Sequence, residues 1–439
     1  MRYLLGMDDT DSRFGHCTTH LGYLITCELA RMGCRIPSYP RLVRLNPNVP
    51  FKTRGNAAVC VEFEPTSESL RDRAFDTAEA LLDEEADVGN GANPGLVMAS
   101  KEEAAAPYFR ELYLRALSGM VSYRGVIHEL VRMGLRHTLL GNGMGAVGAA
   151  ASLGFSCDSD DHTYELIAYR RPERCGTLRS VLRESVVEME AETFPHTFNN
   201  YDHESGRVLL APTGPDPVLA GVRGDSPGAV LEAFRRVRTG EVPLGHMVYA
   251  TNQCTDAHLK PRLSVPLKAY SAGWLEGEVV SLDAREGGHL ELALRVAGAD
   301  LRCMVYEPSG DLKRTARLLR TGDSVRVSGG VRRATPRNSA ALNVEKIEVL
   351  ALHQAVKARP RCALCSSGMK SEGRGKGYQC RTCGHRTAAL RVEHGPPSRI
   401  HPGTYLPSPR AQRHLTKQLI RYGRELAGHR EIVEGWVAR

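Results

Sequence analysis

Residues 1–33 read MRYLLGMDDTDSRFGHCTTHLGYLITCELARMG. The short apolar run YLLGM predicts a buried strand, and the apolar residues at helical spacing in HLGYLITCELARMG predict a helix. The loop between these two elements is crowded by three carboxylates, Asp8, Asp9 and Asp11. Because neighbouring carboxylates repel each other, a folded chain tolerates such a cluster best when a cation lies between them. This stretch therefore predicts a strand–loop–helix unit whose loop binds a cation.

The rest of the chain divides into four regions, which predict a multidomain α+β protein. Strands alternate with helices over residues 1–160, which predicts a layered α/β domain, and residues 161–265 predict a smaller α+β domain of ferredoxin-like character. Residues 266–352 contain five short strands and one helical interruption, SGDLKRTARLLRTG, which is typical of an OB-fold. Residues 353–439 contain a cysteine cluster and then QRHLTKQLIRYGREL, which predicts a basic helical tail.

Length and composition indicate a protein without a membrane segment. A chain of 439 residues is long enough for three or four domains. It contains no run approaching the roughly 20 apolar residues that a bilayer span needs, and its N-terminal stretch lacks the pattern of a signal peptide. Eight cysteines are scattered outside the C-terminal cluster, which favours buried thiols over disulfides. We therefore expect a cytoplasmic protein.

The net charge of +8 is unevenly distributed. From His353 onward the chain has 17 Lys and Arg against 5 Asp and Glu, whereas the residues before it have 41 against 45. A near-neutral body with a basic C-terminal region suggests that a polyanion binds at that end. The alternative is a basic surface that is merely solvated.

The strongest local motif is RCALCSSGMKSEGRGKGYQCRTCGHR, in which two C-x-x-C pairs are separated by fourteen residues. Each pair can supply two thiolates to one ion, and two pairs complete a tetrahedral zinc site. The four thiolates leave no open position for a substrate, so we expect structural zinc on Cys362, Cys365, Cys380 and Cys383.

Basic residues surround this predicted zinc ribbon together with one aromatic residue. Cations interleaved with an aromatic ring suit a folded RNA, although a ribbon that is simply soluble would carry the same charges. The neighbouring OB-fold favours RNA. The residues concerned are Lys370, Arg374, Lys376, Tyr378, Arg381 and Arg386.

The acidic loop also has the features of a nucleotide site. Thr18 and Thr19 fall at the predicted start of a helix, where unpaired N–H groups and the helix dipole attract anions. Lys52 and Arg54, in FKTRGN, add two cations, and a glycine-rich helix entry follows at residues 141–148. A cation-binding loop beside an anion cradle suits magnesium-bound triphosphate. Taken alone, the loop is equally an ordinary acidic turn before a helix.

DDTDS with GHCTTHLG, followed by KTRGNAAV, resembles the archaeal isoleucine-tRNA 2-agmatinylcytidine synthetases. The resemblance implies a kinase-like α/β domain, a ferredoxin-like domain, an OB-fold and a zinc ribbon in this order. It implies ATP-dependent attachment of agmatine to C2 of the wobble cytidine in an isoleucine tRNA with a CAU anticodon. Nothing in the sequence indicates a membrane or an obligate protein partner.

The resemblance also implies roles for individual residues. The acidic motif Asp8, Asp9 and Asp11 corresponds to the Mg²⁺-binding and catalytic carboxylates, and Thr18 corresponds to the threonine that is phosphorylated. The implied ATP contacts are Thr10, His16, Thr19, Lys52, Arg54 and Asn56.

The implied reaction needs a pocket for a dicationic amine. Phosphorylation of the C2 oxygen turns it into a good leaving group, which the amine then displaces from a base extruded from its loop. A guanidinium binds to carboxylate or amide oxygens beside an aromatic face. TFNNYDHES and TNQCTDAHL supply such groups, and either Asp202 or His258 would accept the amine proton. The candidate agmatine residues are Tyr201, Asp202, Asn252, Gln253 and Asp256, unless they are ordinary turn residues.

Two other functions remain open from the sequence. One is a non-catalytic RNA- or single-stranded-DNA-binding protein that uses only the OB-fold and the ribbon. The other is a nucleotide-dependent ligase that joins a different amine to RNA. A binding module has no use for DDTD beside Thr18, which favours an enzyme. The tail either packs on the body or clamps RNA.

Overall fold

The computed structural model describes residues 1–336, 338–353, 355–356, 360–373, 376–388, 393–394 and 399–439. Arg374, one of the predicted RNA-contacting cations, lies outside these residues. Residues 1–160 contain β1 (Tyr3–Asp8), α1 (Thr18–Arg31), β2 (Arg41–Arg44), β3 (Ala57–Phe63), α2 (Glu68–Glu85), β4 (Gly95–Ser100), α3 (Lys101–Ala104), α4 (Pro107–Ser118), α5 (Tyr123–Arg132), β5 (Arg136–Leu139) and α6 (Ala146–Leu153).

The remaining elements follow in three groups. Residues 161–265 contain β6 (Thr163–Tyr169), α7 (Arg183–Thr193), β7 (Tyr201–Asp202), β8 (Arg207–Val208), β9 (Val218–Gly224), α8 (Pro227–Arg236) and β10 (Gly245–Thr251). Residues 266–352 contain β11 (Ala272–Ala284), β12 (Leu290–Val296), β13 (Ala299–Val305), α9 (Asp311–Ala316), β14 (Ser324–Arg332) and β15 (Ala341–Ala351). The described residues beyond 352 contain β16 (Ala355–Val356), β17 (Met369–Ser371), β18 (Tyr378–Cys380), β19 (Arg386–Thr387), β20 (Glu393–His394), β21 (Gly403–Tyr405) and β22 (Val437–Ala438).

One nine-stranded sheet connects the two predicted N-terminal domains. Its strand order is β5-β4-β1-β3-β2-β10-β6-β9, and β22 also pairs with β10. The two halves meet at a parallel pairing of β2 with β10, in which Ala250 faces Arg41 and Thr251 faces Leu42. The domain boundary at residue 160 stays a prediction, but backbone hydrogen bonds run continuously from one region to the other.

Helix α6 packs very closely on this sheet because small residues line both surfaces. A Cβ atom on Gly6 would lie 2.1 Å from the carbonyl oxygen of Ala149, and one on Gly95 would lie 2.5 Å from the carbonyl carbon of Gly145. Such an approach of backbone to backbone requires glycine. It brings the N-terminal end of α6 beside the end of β1, where the acidic loop begins.

Hydrophobic cores lie on both faces of the sheet. Leu4 and Leu166 contribute to one core together with residues of α4, α5 and α6. Leu5 and Tyr249 contribute to the other together with residues of α1 and α2. No helix in the described ranges is both long enough and apolar enough to cross a membrane.

The predicted OB-fold is confirmed. Its strands form a sheet of order β13-β12-β11-β14-β15-β21, and the additional pairing of β13 with β15 closes the barrel. The predicted helical interruption is α9, which packs against β13 and β15. Strand β21 comes from the C-terminal tail and adds to the edge at β15.

The predicted tail helix over residues 412–426 is wrong. These residues, all of them described, contain turns and one short 3-10 helix but no α-helix. The carbonyl oxygens of His414 and Leu415 accept hydrogen bonds from the backbone N–H groups of Cys254 and Asp256, so they are not available for helical bonds. Arg421 is almost fully buried and donates to the carbonyl oxygen of Cys254. Contacts with the body of the protein therefore override the local helical preference.

Candidate active site

The three carboxylates of the acidic loop line a cleft at the end of β1. Asp8 is the last residue of that strand, and its carboxylate lies against α6, where a Cβ on Gly148 would be 1.8 Å from its Oδ2. Burial and the charge of Asp9 raise the pKa of Asp8 well above its usual value. Burial and the charge of Asp11 raise the pKa of Asp9 to about 6. The cluster is therefore unfavourable when it is ionised and alone, and a divalent cation would relieve it.

The chemistry of the cluster fits Mg²⁺, because all its donors are carboxylate oxygens. Among the His, Cys, Asp and Glu side chains of the described ranges, only the four ribbon cysteines form a group of three or more whose ligand atoms lie within 4.8 Å of one another. The three carboxylates of the acidic loop are not all this close together. The carboxylates thus do not form a closed cage. Mg²⁺ usually binds one or two carboxylates and completes its shell with water and substrate phosphates. The open arrangement suits a cation that is shared with a nucleotide.

Thr18 and Thr19 begin α1 and line the same cleft. The hydroxyl of Thr18 lies 3.1 Å from that of Thr10, so Thr10 contacts Thr18 although it does not itself line the cleft. The first turn of α1 contains no acidic residue. The N–H groups of this turn therefore keep their attraction for an anion.

Arg54 connects the acidic loop to the loop that contains FKTRGN. Its guanidinium lies 2.7 Å from Asp11 Oδ2 and donates to the carbonyl oxygen of His16. Lys52 and Asn56 also line the cleft, and the Asn56 amide donates to the carbonyl oxygen of Asn46 at 2.7 Å. His16 contributes its backbone and does not line the cleft. The predicted nucleotide residues are thus brought together, with Thr10 and His16 behind the others.

The cleft has a volume of about 960 Å³ and walls from three parts of the chain. The N-terminal region supplies the acidic loop, the start of α1 and the FKTRGN loop. The second region supplies residues of β6, β9 and the segment 207–218, and the tail supplies Pro409, Arg410, Gln412 and His414. This volume is at the upper end of the range of about 300–1,000 Å³ for ligand pockets, so it has room for more than one small ligand.

Sequence reasoning missed several charged or polar wall residues, including five that lie on β2, β6, β9, the segment 207–218 and the tail. Glu165 lies in the otherwise largely apolar strand TYELIAY. A charged residue in such a strand was the one local signal that could have pointed to a functional side chain. The others lie on separate elements that the sequence alone does not bring together. The five are Arg44, Glu165, Asp216, Arg223 and His414.

Asn252 and Gln253, two of the predicted agmatine residues, do not line the cleft but support its wall. The Asn252 side chain accepts from the Arg44 backbone N–H at 2.7 Å and donates to the Arg44 carbonyl oxygen at 2.8 Å. Gln253 donates to the carboxylate of Glu165. Both side chains are fully buried.

The other predicted agmatine residues also have partners within the protein and lie outside the cleft lining. Asp202 accepts from Arg410 at 2.9 Å, and the Tyr201 hydroxyl accepts from Arg183 at 2.7 Å. Asp256 accepts from Lys346 of the OB-fold at 2.9 Å. His258, a predicted proton acceptor, is buried with its Nε2 at 3.0 Å from Glu345. The structure therefore does not bring these side chains to the cleft surface.

The four ribbon cysteines form a separate site. Their sulfur atoms all lie within 4.8 Å of one another, with Cys362 Sγ 3.3 Å from Cys383 Sγ and Cys365 Sγ 3.4 Å from Cys380 Sγ. Zinc–sulfur bonds of about 2.3 Å in a tetrahedron require sulfur separations near 3.8 Å, which this cluster approaches. A hydrogen bond from the backbone of Cys383 lowers the pKa of the Cys380 thiol, which favours the thiolate that zinc binds. The cluster fits structural zinc.

Four family profiles match the chain. They are the TiaS TCKD domain at residues 4–142, the TiaS FLD domain at residues 143–258, an OB-fold nucleic acid binding domain at residues 274–350 and the TiaS C-terminal zinc ribbon domain at residues 359–394.

Curated relatives and solved structures match over nearly the full length. The isoleucine-tRNA 2-agmatinylcytidine synthetase TiaS of Cenarchaeum symbiosum is 41% identical over 96% of this chain and 93% of its own. The enzyme of the same name from Archaeoglobus fulgidus is 36% identical over 96% and 98%. A crystal structure of TiaS in complex with an isoleucine tRNA and ATP has a TM-score of 0.83 at 33% identity, over 99% of both chains. A crystal structure of TiaS in complex with an isoleucine tRNA, AMPCPP and agmatine has a TM-score of 0.81 at 31% identity, over 99% and 98%.

Proposed function

The chain belongs to the isoleucine-tRNA 2-agmatinylcytidine synthetase family, and we propose that the cleft at the end of β1 is where it performs the family's reaction. It is an ATP-dependent ligase that attaches agmatine to a cytidine of an isoleucine tRNA. The observation that carries the assignment is the meeting of the acidic loop, Thr18 and the Arg54 loop in one large cleft. We place the reaction in the cytoplasm, where the free thiols of this chain stay reduced.

The nucleotide end of the cleft contains Asp8, Asp9 and Asp11 together with the N-terminus of α1. When bound there, Mg²⁺ would neutralise the phosphate charge that develops during transfer. The N–H groups at Thr18 and Thr19 begin α1 and would bind an anion there, and Arg54 pairs with Asp11 at 2.7 Å. Thr18 lines the cleft beside the acidic loop, where its hydroxyl would contact phosphate, and it is the proposed phosphorylated residue.

The chemistry then requires two bond exchanges at the cytidine. The C2 oxygen accepts a phosphoryl group that derives from ATP, which makes it a good leaving group. The agmatine nitrogen forms a bond to C2, the C2–O bond breaks, and the oxygen departs with the phosphate. The nitrogen loses its proton in this step. The wobble cytidine of the CAU anticodon is the proposed target because an unpaired loop base is extruded at low cost.

The carboxylates of the second wall are the proposed attraction for the dicationic amine. Glu165 and Asp216 line the cleft, whereas the predicted residues Tyr201, Asp202, Asn252, Gln253 and Asp256 lie behind its wall. We assign these five a supporting role: Gln253 holds Glu165, and Asp202 holds Arg410.

The test is product formation on transcripts of the isoleucine tRNA with a CAU anticodon. Incubation with ATP, Mg²⁺ and agmatine should increase the mass of the anticodon fragment by the mass of agmatine less one water. Omission of ATP or agmatine is the control. An adduct with another polyamine but none with agmatine would favour the ligase with a different substrate. Tight RNA binding without ATP consumption would favour the non-catalytic binding protein.

A further inference from the structure

Three donor groups from distant parts of the chain meet at one wall of the cleft. Arg44 ends β2, Arg223 lies on β9, and His414 belongs to the tail that follows the zinc ribbon; all three line the cleft. Arg223 Nη2 lies 3.1 Å from His414 Nδ1. A Cβ on Gly55 would lie 2.4 Å from Arg44 Nη1 and 3.2 Å from His414 Nε2. The Arg44 and His414 side chains therefore converge beside Gly55.

The charge of this group is only partly neutralised. Arg223 Nε pairs with Glu165 Oε1 at 3.1 Å. By contrast, no carboxylate oxygen in the described ranges lies within 4.0 Å of an Arg44 nitrogen, and its buried Nε has no hydrogen-bond partner there. The nearby acids are already paired, Asp11 with Arg54 and Asp216 with Arg179. A guanidinium that makes no ion pair within 4.0 Å thus faces the cleft, with the charge of Glu165 acting on it only from a greater distance.

His414 adds a neutral N–H donor to this positive group. A guanidinium can only donate, so Nδ1 of His414 accepts from Arg223 and its ring proton is on Nε2. Burial and the charges of Arg44 and Arg223 hold the pKa of His414 well below its usual value, so the ring stays neutral. Its backbone is fixed as well, because the His414 carbonyl oxygen accepts from the Cys254 N–H at 2.9 Å.

We propose that Arg44, Arg223 and the Nε2–H of His414 form a phosphate-binding subsite, separate from the acidic loop. A cluster that contains only donors, with surplus positive charge, suits phosphate oxygens and repels a dicationic amine. Asn252 holds the Arg44 backbone at both its N–H and its carbonyl oxygen, which fixes the main chain from which the guanidinium extends. The tail returns from the zinc ribbon to complete this subsite.

The inference rests on the proposed function, which brings two phosphate sources to the cleft. One is the polyphosphate of ATP, and the other is the RNA backbone beside the extruded cytidine. Both present the same oxygens to the same donors, so separate binding measurements on the two ligands identify the source.

The experiment compares the full-length variants Arg44→Gln and His414→Gln with Arg31→Gln. Arg31 is exposed at the end of α1 and pairs with Glu28, so its loss is a matched control. Binding of AMPCPP with Mg²⁺ and binding of a transcript of the isoleucine tRNA are measured separately at several salt concentrations. If the phosphate belongs to ATP, Arg44→Gln weakens AMPCPP binding about tenfold and leaves tRNA affinity unchanged. If it belongs to the RNA, tRNA affinity falls and its logarithmic salt slope decreases by about one.

Two further outcomes complete the test. The inference is overturned if Arg44→Gln and His414→Gln both bind AMPCPP and tRNA within twofold of wild type. If melting curves show that Arg44→Gln does not fold, His414→Gln and Arg44→Lys decide the question by the same criterion. Arg44→Lys keeps the positive charge but cannot donate the two parallel hydrogen bonds of a guanidinium. Failure of the proposed function is seen separately, because wild type then forms no agmatine adduct.

Discussion

Gly148→Ala tests whether the position of the Asp8 carboxylate matters for the reaction. Gly148 lies in α6, and a Cβ there would be 1.8 Å from Asp8 Oδ2 and 2.4 Å from its Cγ. Ordinary van der Waals contact begins near 3.4 Å, so the carboxylate must move by about 1.6 Å. Because Asp8 borders the open cleft, its side chain has room to move without disrupting the core.

The expected loss follows from this displacement. A shift of about 1 Å in a reacting or positioning group costs roughly 100-fold in rate, so Gly148→Ala should consume ATP at least about 100-fold more slowly than wild type. Alanine is also favoured over glycine in a helix by about 1 kcal/mol. This gain opposes the cost of displacing the Asp8 side chain, so the midpoint of thermal unfolding should change little. The variant should also need more Mg²⁺, because one carboxylate has left its place.

The assay is tRNA-dependent ATP consumption under single-turnover conditions, followed over a range of Mg²⁺ concentrations. The control is Gly125→Ala in α5, where the nearest atom to an added Cβ lies at an ordinary 3.8 Å. The control should keep wild-type activity and gain the same helical stabilisation of up to about 1 kcal/mol. If Gly148→Ala turned over within about threefold of Gly125→Ala at equal Mg²⁺, a fixed Asp8 carboxylate would not be part of the mechanism.

Asp8→Ala or Asp11→Ala should abolish ATP consumption but change tRNA affinity by less than about threefold, because phosphate contacts dominate RNA affinity. Phosphate release measures ATP consumption, and filter binding measures tRNA affinity. Normal ATP consumption would contradict the metal site. Burial and the charge of Asp11 raise the pKa of Asp9 from 3.8 to about 6, so ionisation of Asp9 opposes folding of the metal-free protein. This loss of stability is absent at low pH and complete above about pH 6. Between pH 4 and 7 the melting temperature of metal-free wild type should therefore fall relative to that of Asp9→Asn, and Mg²⁺ should reduce the difference. If the melting temperatures of the two proteins changed in parallel with pH, this prediction would be refuted. Cys380→Ser should lose zinc and bind tRNA more weakly, whereas unchanged zinc content would exclude the four-thiolate site. Asn252→Ala should destabilise folding by about 2 kcal/mol and leave the KM for agmatine within about twofold, whereas a tenfold rise in KM would make Asn252 an agmatine ligand.

Local sequence patterns were sufficient to predict those parts of the molecule in which all the relevant residues lie in one short segment. The acidic loop was predictable because a strand end, three carboxylates and a helix start follow one another within 33 residues. The paired cysteines were predictable because each C-x-x-C spacing places two thiolates on one turn. The OB-fold strands were predictable from alternation within each strand.

The walls of the cleft depend on long-range contacts that no local pattern encodes. Arg223 and His414 are 191 positions apart, yet their side chains are hydrogen bonded. Polar residues such as Asn252 and Asp202 have the same chemistry whether they face a ligand or support a wall, so residue type alone did not separate the two roles. The tail was misread as a helix because its carbonyl oxygens bond to Cys254 and Asp256, which lie more than 150 positions earlier.

The cleft combines two regions of opposite charge, and the C-terminal tail helps to form the second of them. The acidic loop attracts a cation, whereas Arg44 attracts an anion without any carboxylate of its own. A dicationic amine that entered the empty cleft would meet the unpaired guanidinium beside Glu165. Once a phosphate group has neutralised Arg44, the remaining charges of the wall are paired, Glu165 with Arg223 and Asp216 with Arg179, so the wall no longer repels the amine. The charge distribution therefore favours binding of the amine after the phosphate-bearing substrates, which is the order that the displacement chemistry needs, since C2 must carry its leaving group before the amine attacks.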